Sequence, residues 1–66
     1  MFDLFTITGY DTKGVVQESE TVTDDWSSTE LCLALADQYS YAETTYGGRH
    51  YGEYGNRPSA LGRRIY

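Results

Sequence analysis

The chain has 66 residues, enough for one small domain, which buries only about 60% of the surface that its unfolded form exposes. Apolar residues make up 39% of the composition and charged residues 23%, a lean but foldable mixture that does not predict a wholly disordered chain. The net charge of −5 disfavours a domain that holds a phosphate backbone mainly by charge, and the length excludes two domains, a Rossmann unit and most enclosed active sites.

The first predicted elements are two strands joined by a tight turn. Residues 2–10 are rich in β-branched and aromatic side chains, which favours a strand. An aspartate opens the following turn, and Gly14 suits the left-handed position of a bulged hairpin loop. Residues 15–22 form the returning strand, in which neither face is strongly apolar. Glu18 and Glu20 near its centre indicate an exposed edge strand.

A helix is predicted over residues 28–39. Ser27 and Glu30 have the spacing of a capping box, in which each side chain bonds a free backbone N–H group. Trp26 precedes this cap, so it is expected to contact Leu31 as a hydrophobic staple. This start signal makes the helix the strongest local prediction in the chain.

The predicted helix has a core side and a solvent side. Asp24 and Asp25 add negative charge near the positive end of the helix dipole. Leu33 is expected on the solvent side, between Glu30 and Asp37. The core-facing stripe follows helical periodicity and comprises Leu31, Cys32, Leu35, Ala36 and Tyr39.

Two more strand-like segments follow the helix. Residues 40–46 place Tyr41 and Tyr46 on opposite faces, and a glycine pair can turn the chain into a weaker strand over 49–54. The order β-β-α-β, with an optional fourth strand, predicts an α+β fold in which one helix packs on one face of a small antiparallel sheet of three to four strands. With strand register left open, the predicted core is Phe2 or Phe5, Leu4 or Ile7, Val15 or Val16, Val22, Trp26, Leu31, Leu35, Ala36 and Tyr39.

Charge divides the chain into two segments. Residues 1–48 contain nine acidic residues and one lysine, a net charge of −8, whereas residues 49–66 contain four arginines and one glutamate, a net charge of +3. Such asymmetry is typical of a folded body followed by an interacting or mobile segment. We therefore predict an acidic body over 1–48 and a C-terminal segment over 49–66, rich in glycine, tyrosine and arginine, with an optional fourth strand followed by a tail that is either loose alone or ordered by a partner.

Few side chains could support catalysis. His50, the one histidine, is expected at the surface, and Cys32 is expected in the core as a small, unreactive hydrophobe. The adjacent acids Asp24 and Asp25 are explained by helix capping rather than by metal binding. We therefore predict a protein that is not an enzyme, with no catalytic residues, no cofactor and no metal.

The sequence also bears on location. One cysteine cannot form an internal disulfide or a zinc site built on several thiols. The first residues lack the basic region of a secretory signal, and no stretch approaches the roughly 20 apolar residues of a membrane span. We expect a cytoplasmic protein that does not associate with a membrane.

Several kinds of partner remain open. Arginines and tyrosines after residue 48 could contact phosphates and stack on the bases of single-stranded nucleic acid, but the charge of the acidic body opposes direct nucleic-acid binding. Seven tyrosines exceed what so small a core can bury, and tyrosine and arginine are favoured at protein interfaces. Another alternative is a small structural subunit, a monomer or a homodimer, that pairs through the edge strand over 15–22.

Protein binding through an acidic surface is the predicted function. A dense negative field steers encounter with a basic groove and can occupy sites kept for phosphates. In its length, its acidity and its single helix against a small sheet, the chain resembles the small acidic inhibitors encoded by bacteriophages, including anti-CRISPR proteins and inhibitors of host RNA polymerase. The resemblance implies an inhibitor in the bacterial cytoplasm that blocks a larger protein or ribonucleoprotein complex with a basic surface. The predicted partner-binding residues are Glu18, Glu20, Asp24, Asp25, Glu30, Leu33, Asp37, Tyr51 and Tyr54.

Overall fold

The computed structural model describes residues 4–62, which form a four-stranded antiparallel sheet with a helix across one face. The strand order is β2-β1-β3-β4, so β2 and β4 are the edges. This arrangement confirms the predicted α+β fold and the edge position of the second strand. The elements in chain order are β1 (Phe5–Tyr10), β2 (Val16–Val22), α1 (Asp25–Tyr39), β3 (Tyr41–Tyr46), β4 (Arg49–Gly55) and a short 3-10 helix (Ser59–Leu61).

Both hairpins use the turns that the sequence predicts. In the β1–β2 turn, the Asp11 carboxylate accepts two backbone N–H hydrogen bonds of 2.9 Å, and Gly14 has a φ of 81°. The β3–β4 turn contains Gly47 and Gly48, which both have positive φ, as the favoured two-residue hairpin turn requires. These turns set the register of each strand pair.

The helix begins three residues earlier than predicted. Asp24 is its N-cap, because the Asp24 carboxylate accepts a 2.8 Å hydrogen bond from the backbone N–H of Ser27, and this bond lowers the pKa of Asp24. The predicted capping box between Ser27 and Glu30 is therefore wrong. The staple between Trp26 and Leu31 is also wrong, since Trp26 lies in the first turn with 73% of its surface exposed. An aspartate is as good an N-cap as a serine, and its charge also favours the helix dipole.

The core lies between the sheet and the inward side of α1. It confirms that Phe5 and Ile7 are buried, while Leu4, the alternative to Ile7, is 43% exposed and Phe2, the alternative to Phe5, lies outside the described residues. Gly9 allows the helix to approach, because a Cβ there would lie 2.9 Å from a ring carbon of Tyr39. The buried cluster is Phe5, Ile7, Cys32, Leu35 and Ala42, with Val22, Leu31, Ala36 and Tyr39 packed partly against it.

We call the sheet face that points away from α1 the open face. The predicted core is wrong at the start of β2, where Val15 and Val16 are each 54% exposed, because Val16 lies at the sheet edge on this face. Tyr41, which the predicted core omitted, is fully buried on the same face. Its ring lies 5.8 Å from that of Tyr10, and the Arg57 guanidinium lies 5.7 Å from its centroid.

Residues 56–62 cross the open face after β4. The Arg57 guanidinium donates one hydrogen bond of 3.0 Å to the Tyr41 hydroxyl and another of 3.0 Å to the carbonyl of Gly62. Pro58 is buried, and a Cβ at Gly14 would lie 3.2 Å from the Cβ of Ala60, so the segment reaches the β1–β2 turn. Residues 63–66 of the predicted tail, and residues 2 and 3 of the predicted first strand, lie outside the described residues.

Candidate functional site

The outward side of α1 combines large apolar side chains with acidic ones. Trp26, Glu30, Leu33 and Asp37 are spaced by four, three and four residues, so at about 100° per residue they form a narrow stripe opposite Leu35. All four are exposed, Trp26 by 73% and Leu33 by 47%. We call these four residues the helix stripe. The predicted exposure of Leu33 among acids is confirmed.

The start of α1 is joined to β4 by a hydrogen bond. The Tyr51 hydroxyl donates to the Asp25 carboxylate at 2.7 Å, and this bond raises the pKa of Tyr51. The Tyr51 ring also packs edge-on against Phe5, with ring centroids 4.9 Å apart, and lies 6.3 Å from the ring of Tyr46. Asp25 and Tyr51, both predicted binding residues, therefore lie together where the helix stripe begins.

The acids of β2 lie at the opposite edge of the sheet. Tyr39 donates a 3.0 Å hydrogen bond to the Glu18 carboxylate, which connects α1 to this edge. A hydrogen bond with Glu18 raises the pKa of Glu20, so the two carboxyl groups lie close together. This pair adds negative charge beside the helix, but it is separated by α1 from the predicted tyrosines on β4.

A cleft of about 240 Å³ lies between α1 and β4. We call it the groove; Ser28, Thr29 and Cys32 line its helix side, and Tyr51, Gly52 and Tyr54 line its strand side. The Cys32 thiol is buried at its base and donates a 3.4 Å hydrogen bond to the carbonyl of Ala42. Burial raises the pKa of the Cys32 thiol, which favours its neutral form. The predicted burial of Cys32 is confirmed.

The open face carries a polar cluster of Glu43, His50, Glu53 and Arg57. The His50 Nδ1 atom lies 3.2 Å from Glu43 Oε2, and its Nε2 atom lies 3.6 Å from Glu53 Oε1. His50 is therefore half-buried between two carboxyl groups, and its predicted surface position is wrong. Glu43 is only 6% exposed, so this acidic residue does not contribute to the surface of the protein. The physical reason is that β-pairing and the 56–62 segment bring these groups together.

Glu43, His50 and Glu53 have ligand atoms within 4.8 Å of one another, a spacing that suits a metal ion. However, Arg57 Nη1 lies 3.4 Å from Glu43 Oε2, and its guanidinium places a positive charge against the buried carboxylate. Because Glu43 already contacts a cation of the chain itself, we assign the cluster to holding the 56–62 segment on the sheet.

The structure places the predicted binding residues in neighbouring regions rather than on one surface. Trp26 belongs with them but was missing from the prediction, because the staple interpretation placed it in the core. Its spacing of four and seven residues from Glu30 and Leu33 is the sequence signal that could have identified it. The predicted residues divide into Glu30, Leu33 and Asp37 on the helix stripe, Asp24, Asp25 and Tyr51 at the helix start, Tyr54 across the groove, and Glu18 and Glu20 at the β2 edge.

Comparison with known proteins gives no match, so function is interpreted from the geometry of the described residues. The chain matches no protein-family model, and neither a curated protein nor a solved structure is significantly similar to it. Within residues 4–62, no helix has both the length and the apolar composition needed to cross a membrane.

Proposed function

We propose that this chain is a non-enzymatic binding protein that docks through the helix stripe onto a basic surface of a larger protein or ribonucleoprotein complex. The observation that carries the proposal is Trp26, which is 73% exposed on the same side of α1 as Leu33. Tryptophan is among the residues most enriched at binding hot spots, where its large surface is buried by a partner. Two large apolar side chains on one exposed stripe thus supply the anchors.

Charge supports a basic partner. The sequence of α1, DWSSTELCLALADQY, contains three acidic residues and no lysine or arginine, and Asp24 adds a further negative charge at its start. Complementary charge accelerates encounter, whereas buried anchors such as Trp26 slow dissociation. The acids therefore steer the complex together, and the apolar side chains hold it.

The proposed binding surface on the partner predicts that the chain inhibits the partner's contact with nucleic acid. A basic surface on a nucleic-acid-handling complex normally contacts phosphates, so a protein that covers it competes with nucleic acid. We propose this competition as the biological activity, in the manner of the phage-encoded inhibitors that the chain resembles in size, acidity and α+β architecture.

Direct binding of nucleic acid through the C-terminal segment is less well supported. Arg57 contacts Tyr41 and Glu43, and Tyr51 donates its hydroxyl hydrogen to Asp25, so these side chains are engaged within the fold. A gel-shift titration with single- and double-stranded probes at low salt tests this alternative, and a shift would favour it over the helix stripe.

The proposal is tested by capturing partners from a bacterial lysate and measuring the affinity of the identified partner for variants. Trp26→Ala should weaken binding about 30-fold or more, as expected for a hot spot. Val16→Ala is the matched control, because Val16 is 54% exposed but lies on the open face. Glu30→Lys combined with Asp37→Lys should slow association and reduce its dependence on salt. Equal affinity for wild type and Trp26→Ala, at both low and high salt, would refute the proposed function.

A further inference from the structure

We propose that residues 18–22 of β2 pair with an extended basic segment of the partner, whose arginine or lysine side chains contact Glu18 and Glu20. The inference rests on the basic partner proposed above and adds a second contact, in which the partner extends the sheet as a strand beside β2. It specifies the conformation of the bound segment and the chemistry of its side chains.

The outer side of β2 offers backbone groups for strand addition. Every second residue of an edge strand directs its N–H and C=O groups away from the sheet. β2 pairs with β1 without interruption over residues 18–22, because the register shift lies outside this range, between the partners of Gly9 and Tyr10. Within the part of the chain that the structure describes, no strand lies beyond β2. An incoming strand would therefore meet a regular edge.

The side chains along this edge leave it accessible. Residues 19–21 are exposed, and Glu18 is half-buried. Ser19 shares a 3.3 Å hydrogen bond with Thr8 on β1, and Glu18 accepts its 3.0 Å hydrogen bond from Tyr39 on α1. Both bonds run toward the rest of the fold and not across the outer edge. Proteins commonly recognise extended peptides by pairing them with such an edge and contacting alternate side chains.

Glu18 and Glu20 place two carboxyl groups on one side of the edge. They are two residues apart, so both lie on the side of the sheet that carries α1, where the Tyr39 hydroxyl holds Glu18. A hydrogen bond with Glu18 is the main reason why the pKa of Glu20 is raised, and burial and the charge of Glu18 add to it. A basic side chain on a neighbouring strand would offset this repulsion, because opposite charges across strands are stabilising.

The C-terminal end of α1 strengthens the attraction for a cation. Gly9, which pairs with Glu18, lies beneath this end, since a Cβ at Gly9 would be 2.9 Å from a ring carbon of Tyr39. The last turn of α1, all of it within the described residues, contains no basic residue. Its own side chains therefore do not offset the partial negative charge of the helix end, which favours cations nearby.

Charge also distinguishes a basic partner segment from a second copy of the chain. A second β2 paired over the same residues would bring its own Glu18 and Glu20 against this pair, and like charges across strands are destabilising. Charged side chains on edge strands prevent such self-pairing. A strand with basic residues at alternate positions reverses the sign of the interaction, so the same glutamates that disfavour a second copy favour this partner.

The 18–22 edge and the helix stripe approach each other at one end of α1. Asp37, the last residue of the stripe, lies within one turn of Tyr39, which contacts Glu18. One partner can therefore cover the helix stripe and add a strand to the sheet at the same time.

The proposal is tested by nuclear magnetic resonance with the isotope-labelled full chain and a capped peptide, Lys-Val-Arg-Val-Arg-Val-Lys, whose basic side chains share one side of an extended strand. We expect saturable shifts of the backbone amides at 18–22 and slower hydrogen exchange along β2. A version methylated on its central backbone nitrogens keeps the charge but cannot complete the strand pairing, so it should bind about tenfold more weakly.

A second control peptide, Lys-Arg-Val-Val-Val-Arg-Lys, has the same composition and charge but lacks the alternation. It should bind about threefold more weakly or worse, because it presents fewer basic side chains to the two glutamates. Absence of shifts at 18–22 at millimolar peptide, or equal binding of either control peptide, would overturn the proposal.

Glu18→Gln combined with Glu20→Gln tests the charge pairing. These changes keep the side-chain shape and should weaken peptide binding about tenfold, which corresponds to about 1.4 kcal/mol, while circular dichroism shows an unchanged fold. Glu18→Asp combined with Glu20→Asp is the matched control, because it keeps both charges and should retain affinity within about threefold. Equal losses for the two double variants, or self-association through 18–22 that excludes the peptide, would refute the basic partner segment.

The captured partner separates the two proposals. If it loses affinity for Trp26→Ala but not for the double glutamine variant, the binding function stands and the strand-addition inference fails. If it loses affinity for both, both proposals are supported. If neither variant loses affinity, both proposals fail.

Discussion

The two faces of the sheet are covered in different ways. Beneath α1, apolar side chains such as Ile7 and Leu35 exclude water without needing polar partners. On the open face, the buried groups include Glu43 and Tyr41, which are covered by Arg57 and the 56–62 segment. A helix brings enough apolar surface to bury one face by itself, whereas the short 56–62 segment adds charge and hydrogen bonding from Arg57 to the smaller apolar surface of side chains such as Pro58. The comparison predicts which substitutions each face tolerates.

The largest expected effect lies under the helix. Ile7→Ala should lower the free energy of unfolding by about 2–5 kcal/mol, because it removes a fully buried side chain and leaves a cavity. Urea denaturation measures this loss. Val16→Ala, on an exposed side chain of the open face, should change stability by less than about 0.5 kcal/mol. Similar losses for the two variants would contradict the assignment of the core to the helix-covered face.

A smaller effect is expected on the open face. Arg57→Met removes the guanidinium 3.4 Å from the buried Glu43 carboxylate and should cost about 1–3 kcal/mol. Adding Glu43→Gln to this variant should cost less than the same change in the wild type, because the carboxylate no longer has that guanidinium to lose. A double-mutant cycle from denaturant unfolding measures the coupling. Strictly additive losses would show that charge pairing does not hold this face.

The open face should also respond to alkaline pH. Burial is the main reason why the pKa of Tyr41 is raised from 10.0 to about 12. The folded state therefore favours the neutral phenol, and this contribution to stability is complete below pH 10 and is lost as pH rises through about 12. Ultraviolet absorbance titration should show a late-ionising tyrosine that disappears in Tyr41→Phe and persists in the half-exposed control Tyr54→Phe. Persistence in Tyr41→Phe would contradict the burial of Tyr41.

The smallest effect is expected on the outward side of α1. Trp26→Ala should change the free energy of unfolding by less than about 0.5 kcal/mol, because its side chain is mostly in solvent. Trp26 is the only tryptophan, so the emission maximum of the folded protein should match that of its unfolded state. A red shift on unfolding would show that Trp26 is buried and would weaken its role as an anchor.

Local sequence patterns predicted much of this fold for physical reasons. The spacing of Leu31 and Leu35 marks the inward side of α1, and Gly14 permits the positive φ of its turn. The same periodicity predicted an exposed Leu33. The start of α1 was predicted wrongly because Asp24 and Ser27 are both capable N-caps, and that error moved Trp26 from the surface into the predicted core.

What the sequence determined by itself is therefore the set of elements: strands and a helix whose side-chain spacing depends on neighbours a few residues away. Only the tertiary structure decided which surfaces were covered. Tyr41 and Glu43 are buried because Arg57 reaches them from 16 and 14 residues along the chain, and the groove lies open because Gly52 falls opposite the helix. Such burial depends on the docking of distant segments, which local periodicity does not encode.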